Sequence, residues 1–399
     1  MENTKKETSI GMKIFKKILI GILSLLVVLL IVVGVYVSVI TAKYYRVGDI
    51  ELTSTYSNEN IDSTSLLMLD MNKEYQVATY NIGFGAYSED FTFFMDGGKS
   101  AKAKDKDSVL FNTLGVAKVL NSLDVDFAFL QEVDLSGTRS RYVDQVKLIN
   151  SKLNANYEVT YGSNFHVPYL VYPFHDPIGK AESGIVTLSK YASDSAMRYE
   201  LPVDTAWPSK LFDLDRCYTV NRSSLPNGKE LLLINVHLTA FENKGIREKQ
   251  LANLEIFLKS ENDKGNYIVM GGDFNHDLWV TFVGDYNSDE KYYPSWLPKK
   301  ENITKEEEWV QVLNQDFVDF LDSINFSFKI PLNEPTCRTS QFSYNPNTSR
   351  AWVIDGFIVS GNIKVIEDSV MVVDDSSLSG FRNFLYSDHN PVTMKFTFI

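Results

Sequence analysis

Residues 267–275 read YIVMGGDFN: four β-forming or apolar side chains, two glycines, then a carboxylate and an amide on either side of a phenylalanine. A run of this composition predicts a buried strand over 266–272. Such a strand usually closes on turn residues that face water. This one closes on Asp273 and Asn275, so polar groups sit at the end of a strand that runs through the core.

Similar runs recur through the rest of the chain. Strands are predicted over 75–81 (YQVATYN), 126–131 (DFAFLQ), 184–190 (GIVTLSK), 230–238 (ELLLINVHL), 352–359 (WVIDGFIV) and 392–398 (VTMKFTF). Arg216–Leu238 reads as a hairpin turning at Pro226-Asn227-Gly228. Within 108–122, Leu110, Leu114, Ala117 and Leu120 share one helical face, with Asp107 or Ser108 as N-cap. Within 244–260, Leu251, Leu254 and Leu258 face inward, and Arg247, Glu248, Lys249 and Glu255 keep the other side wet. Strands and helices so interspersed define an α/β (α+β) class, sheet packed with helices, in one domain over 75–399.

The N-terminus is of another kind. Residues 18–40 hold no charged side chain, and as a helix they span about 34 Å, enough for a hydrocarbon core of roughly 30 Å. The length of the run, and Tyr44-Tyr45-Arg46 where a cleavage site would want small residues, favour an uncleaved anchor over a signal peptide. Lys5, Lys6, Lys13, Lys16 and Lys17 make residues 1–17 a basic segment expected in the cytoplasm, which puts the large domain outside, joined by a polar linker over 41–74. Residues 1–46 carry seven Lys/Arg and two Asp/Glu, so the chain's −12 leaves about −17 on residues 47–399. A domain this acidic has no general attraction for a long polyanion. Cys217 and Cys337 form neither a disulfide framework nor a zinc spacing and read as two small core residues, with a single bridge as the alternative.

Asn81 closes the first strand, Glu132 follows the second, His237 ends LLLINVHL, Asp355 interrupts WVIDGFIV, and Asp388-His389 precede the last strand. Any one of these has an ordinary explanation as a turn or hydrogen-bonded residue. Together with Asp273 and Asn275, they predict one acidic, histidine-bearing pocket where strand ends converge.

The series TYNIG (79–83), LQEVD (130–134), NVHL (235–238), GGDFN (271–275), VIDG (353–356) and SDHNPV (387–392) resembles the endonuclease/exonuclease/phosphatase superfamily in order and spacing, over about 75–399. The resemblance implies a four-layer α/β/β/α sandwich of two mostly antiparallel sheets, with the site at one edge. It implies a metal-dependent phosphoesterase acting on a phosphate ester, either nucleic acid or phospholipid/inositol phosphate. Glu132 would hold Mg2+ or Mn2+, aided by Asp388 and Asn81, since hard cations favour oxygen ligands. His389 would act as general base or cationic stabiliser, oriented by Asp355, and Asp273 would orient or deprotonate the attacking water. Asn275, His237 and Asn81 would donate to phosphate oxygens, with Arg216 a further phosphate contact. The other reading is an inactive member serving as an extracytoplasmic binding module. Such members lose a metal carboxylate or the last histidine, and here Glu132, Asp273, Asp355, Asp388 and His389 are all present.

This sequence departs from the pattern at Gly83, where some relatives carry an acidic residue. Tyr161, Asn164, His166, His175 and Lys180 are candidate contacts from the middle of the domain, with loop histidines as the simpler reading of His166 and His175. His276 and Asp277 read as the start of a loop. The aromatic insertion 276–312 is either a substrate-facing wall or packing. The 165–178 loop is either an apolar surface beside the site or core. The basic run GKSAKAKDK (98–106) reads as a solvated loop.

Overall fold

The apolar runs become the strands of two stacked sheets in the computed structural model, which describes residues 2–58, 60–240, 245–304, 310–374 and 378–399, with side chains from residue 11 onward. The chain divides into two compact units that meet between Tyr45 and Arg46. The first is helix α1 (Glu2–Lys43), whose stretch Gly11–Lys43 is long and apolar enough to cross a membrane. The second unit takes in 46–74, expected as a linker. Ile50–Glu51 pairs with Met197–Arg198 and Thr55–Tyr56 with Glu158–Val159, so the segment supplies short edge strands.

The longer strands of the second unit are, in chain order, β1 (Tyr75–Asn81), β2 (Phe127–Asp134), β3 (Glu158–Leu170), β4 (Gly179–Ser189), β5 (Ser195–Glu200), β6 (Cys217–Ser224), β7 (Glu230–His237), β8 (Tyr267–Asp273), β9 (Phe326–Lys329), β10 (Asp355–Ser360), β11 (Ile363–Val365) and β12 (Val392–Phe398). One sheet runs β11-β12-β1-β2-β4-β3 and the other β5-β6-β7-β8-β10-β9. Each has one parallel pair near its centre, β1/β2 and β7/β8, and antiparallel neighbours elsewhere. Tyr75, Val77, Phe127, Phe129, Leu231, Leu233, Val269, Phe357 and Met394 fill the space between the sheets. Helix α2 (Lys106–Leu123), with α3 (Gln145–Asn150), covers the first sheet through Val116, Ala117, Leu120 and Ile149. Helix α4 (Ile246–Asp263) covers the second through Leu251, Leu254 and Leu258. These four layers are the expected α/β/β/α sandwich.

Several local expectations change. Helix α2 is capped by Asp105, whose carboxylate accepts from the Ser108 amide at 2.7 Å while Ser108 Oγ accepts from the Asp105 amide, so it starts earlier than 108. The strand expected over 352–359 breaks at Val353-Ile354, because the Ile354 carbonyl accepts from Phe274 N and Thr336 Oγ1 accepts from Ile354 N and Asp355 N. Strand β3 runs through the first half of the supposed 165–178 loop. Its alternation is masked in the sequence by Asn164, His166 and Pro168, where the pairing with β4 shifts register.

The insertion packs. Trp279, Tyr286 and Leu297 join the core under α4, with Tyr292, Tyr293 and Trp296 against them, while Trp309 lies outside the described residues. Asp277 caps α5 (Leu278–Phe282) at Val280 N, and the buried His276 donates to the Phe274 carbonyl. In the basic run, Lys102 and Lys104 pair with Asp176 and Asp90 at 2.8 and 2.9 Å. Cys217 and Cys337 are buried and free.

A buried ion cluster ties α4 to the second sheet. Glu261 accepts from Arg222, Lys264 and Asn266, and although burial pushes its pKa up, these partners outweigh that and bring it to about 2. A depressed carboxylate pKa stabilises the fold fully above the ordinary value of 4.5 and stops doing so as pH falls through about 2. Glu261→Gln should therefore destabilise the protein at pH 7 by roughly 1.5–3 kcal/mol, the range for charged hydrogen bonds. In urea unfolding the gap to the parent should close between pH 4.5 and 2; a gap independent of pH would contradict this.

Candidate active site

Topology explains why distant residues meet. The parallel pairs carry the ends of β1 and β2 to one edge and those of β7 and β8 to the same edge of the facing sheet, so Asn81 stands opposite Gln131 and Asp273 opposite His237. Strand β10 runs antiparallel to β8 and begins where β8 ends, opposing Asp355 to Asp273. Asp388 and His389 lie just before β12, whose first residue pairs with Thr79 near the end of β1. At the end of β2 the pairing with β4 slips between Leu130 and Val133, and Glu132 takes a left-handed φ of 55°. Such a bulge re-aims a side chain, here the glutamate toward the cavity.

Asp273 is the hub. Its Oδ2 accepts from Asn81 Nδ2 at 3.0 Å and lies 3.5 Å from His237 Nε2 and 3.7 Å from His389 Nε2, while its Oδ1 accepts from the Asn275 amide at 2.9 Å. On the far side of its ring, His389 Nδ1 donates to Asp355 Oδ2 at 2.8 Å. Burial, and then Asp355, push the Asp273 carboxyl up. Burial alone would lower the pKa of His389, but Asp355 with Cys337 and Asp273 holds it well above the usual imidazole value, which favours the protonated ring. His237 is driven the other way, by burial first and then by Arg216 and His389, and stays neutral. Both its Nδ1 and Arg216 Nη1 are buried with no hydrogen-bond partner among the described residues, and both residues line the cavity. Asn275 Nδ2 donates to the Leu238 carbonyl at 2.8 Å.

The carboxylates opposite are short of positive charge. Asp388 is raised to about 6 by burial, with Glu132 and Asp96 adding repulsion against the relief given by His389 and Arg338. Asp96 is likewise raised to about 6, by burial and Glu132. Glu132 makes no ion pair among the described residues. Oxygen donors that repel one another on a cavity wall suit a hard divalent cation, so the chemistry of the lining fits the metal that the sequence resemblance implies. The described groups whose ligand atoms lie within 4.8 Å of one another are Cys337, Asp388 and His389, and Asp273, Asp355 and His389. Asn81 Oδ1 accepts from Gly83 N at 3.0 Å while its amide nitrogen faces Asp273 and, at 3.3 Å, Glu132. In this orientation Asn81 ties the two carboxylates together through its amide nitrogen.

These groups share one cavity of about 840 Å3. It takes in Glu132, Arg216, His237, Asp273, Asn275, Asp388 and His389, and its outer wall is apolar, with Phe93, Phe94, Leu170, Tyr172 and Ile178. The 165–178 segment is thus partly core (Phe165, Val167) and partly cavity wall. His166, His175, Lys180 and Tyr161 are not among the lining residues, and neither are the described aromatics of the insertion. Asp96 is the residue the sequence reading missed. A Cβ at Gly83 would lie 2.5 Å from the Tyr87 ring and 3.0 Å from Asp388 Oδ1, at φ +51°, so no acidic side chain fits there. Asp96, from a turn further along the chain, brings a carboxylate to the same cavity, and only its place in the Asp-Gly-Gly turn (96–98) marks it in the sequence.

Residues 78–389 match the Endonuclease/Exonuclease/phosphatase family, and the chain belongs to it. Members of this family are phosphoester hydrolases that commonly use divalent metals. Among solved structures, an endonuclease/exonuclease/phosphatase protein from Beutenbergia cavernae is 15% identical, with 82% of this chain and 72% of that one covered at a TM-score of 0.53, which shows a shared fold. A family protein from Bacteroides thetaiotaomicron is 17% identical over 82% of this chain and 96% of its own, with a TM-score of 0.48. A mannosyl-6-phosphatase from the same organism is 16% identical over 81% of this chain and 100% of its own, with a TM-score of 0.44. No curated protein sequence matches this chain.

Proposed function

We infer that this chain is a divalent-metal-dependent phosphoesterase, held at a membrane by residues 18–40 with the N-terminus in the cytoplasm and the catalytic domain outside. One observation carries the reading: Asp273 Oδ2 lies within 3.7 Å of side-chain nitrogens of Asn81, His237 and His389, in a cavity that also holds the unpartnered Nη1 of Arg216. Asp273, with its raised pKa, orients a water and takes its proton as the water oxygen bonds to phosphorus and the ester oxygen leaves on the opposite side. His389, charged and steadied by Asp355, faces the phosphate as a cation. Neutral His237, Arg216 and Asn275 donate to the non-bridging oxygens as charge builds on them. Glu132 and Asp388 would hold Mg2+ or Mn2+, with Asp96 beside them, and the bound ion would neutralise phosphate charge and stabilise the leaving oxygen.

The domain's charge of about −17 and the ion-paired Lys102 and Lys104 favour an ester handled one phosphate at a time, small or lipidic, over a long nucleic acid. The test is the full chain in detergent with Mn2+, against DNA, RNA, sphingomyelin, inositol phosphates and nucleotides. Asp273→Asn should cut kcat on whichever ester is cleaved by at least about a hundredfold with the melting temperature kept. Full activity in that variant would remove Asp273 from the chemistry.

A further inference from the structure

Three neighbouring strands of the first sheet, β2, β4 and β3, each turn one polar side chain into the cavity: Glu132, Ser183 and Asn164. Their level is set by register. Asp134 pairs with Ser183 on one side of β4, and Ser163 and Phe165 pair with Gly184 and Ser183 on the other. Both flanking strands carry an extra residue here, between Leu130 and Val133 in β2 and between Ser163 and Phe165 in β3. The second extra residue is Asn164 itself, and a bulge of this kind re-aims the side chain it inserts. The Ser163 carbonyl accepts from Arg198 Nε at 2.8 Å and lies 3.7 Å from Cys217 Sγ, and Asn164 and Arg216, the chain neighbours of this pair, line the same cavity.

Asn164 and Ser183 are each only 1% exposed, yet Asn164 Nδ2 and Ser183 Oγ have no hydrogen-bond partner among the described residues. Leaving a buried polar group unpaired costs about 1–3 kcal/mol, so two that open onto one cavity point to a ligand that supplies oxygens. The pair is uncharged, and the serine both donates and accepts. Glu132 stands on the strand beside them, which disfavours a second anion. Arg216, which lines the same cavity, is already assigned to the phosphate in the reading above. Hydroxyl groups match this donor set.

We propose that Asn164 and Ser183 form a specificity subsite for a hydroxyl on the alcohol part of the substrate, adjacent to the ester that is cut, which selects phosphate esters of polyols. The inference rests on the phosphoesterase reading above and names the substrate class for the same site.

Glycerol phosphate and propyl phosphate differ only in hydroxyls, and each can also be offered as its methyl diester. With the full chain in detergent and Mn2+, the glyceryl member of the cleaved pair should have the higher kcat/KM by at least about tenfold, the worth of one good hydrogen bond. Asn164→Ala and Ser183→Ala should each erase most of that preference, chiefly through KM, with both proteins melting near the parent. Calorimetric titration with the same esters provides a reading that needs no turnover. Hydrolysis without preference, or variants that lower both esters equally, would overturn the subsite alone. Preferential binding of the glyceryl ester that Asn164→Ala abolishes, with no hydrolysis of any ester, would leave the subsite standing and overturn the phosphoesterase reading.

Discussion

Replacing His389 with alanine is expected to lower kcat by at least about a hundredfold while the protein stays folded. The ring is the only described cation placed between Asp273 and Asp355, at 3.7 and 2.8 Å. Without it the two buried carboxylates face each other across β8 and β10, and Asp273 gains a proton that it then cannot accept from water. The loss should therefore fall on kcat more than on KM, and His389→Gln, which restores bulk but not charge, should recover little. Steady-state kinetics with circular dichroism as the fold control measures this. Activity within a few-fold of the parent would show that the imidazole is structural.

Gly272→Ala is expected to cost at least about 3 kcal/mol of stability, a large share of what a domain usually has. Gly272 pairs with Gly356 on one side and Val236 on the other, at φ +154°, a conformation that residues with a side chain rarely adopt. A Cβ there would lie 1.9 Å from the Val236 carbonyl oxygen, inside the β7/β8 ladder. Relief would require the two parallel strands to part at the point where they align Asp273 with His237, so stability and activity should fall together. Denaturant unfolding beside an activity assay tests both. A well-folded, fully active alanine variant would mean that the strand pairing is looser than described.

The second case also shows why so much was readable in the sequence. Buried strands need continuous apolar runs, so the polar residues that end them stand out, and YIVMGGDFN shows both the strand and its functional end. The same contrast exposed Asn81, Glu132, His237, Asp355 and His389, all of which the fold brings to one edge. Asp96 was hidden because it belongs to a turn and approaches Glu132 only through tertiary packing. Asn164 stood among several candidate contacts, but nothing in the sequence singled it out or paired it with Ser183, because a bulge and a strand register decide where they point, and register is a property of two strands together. For the same reason the second half of β3 looks like a loop in the sequence: its polar residues and Pro168 sit where the ladder slips. Asn81 illustrates a further limit. Its position was predictable, but which end of its amide faces the carboxylates depends on the Gly83 amide two residues on.

The charge pattern of the cavity is the most exposed part of the proposed chemistry. Six carboxylates line the cavity (Asp96, Glu132, Asp204, Asp213, Asp273 and Asp388) against three arginines and His389, and that imbalance makes sense if a dication joins them. The direct measurement is the rate at which the full chain in detergent cleaves its best phosphoester with Mn2+, then with excess EDTA, then with Mn2+ restored. Loss of nearly all activity in EDTA and its return with Mn2+ is the expected result. Cleavage at an undiminished rate in EDTA would contradict a metal-dependent phosphoesterase.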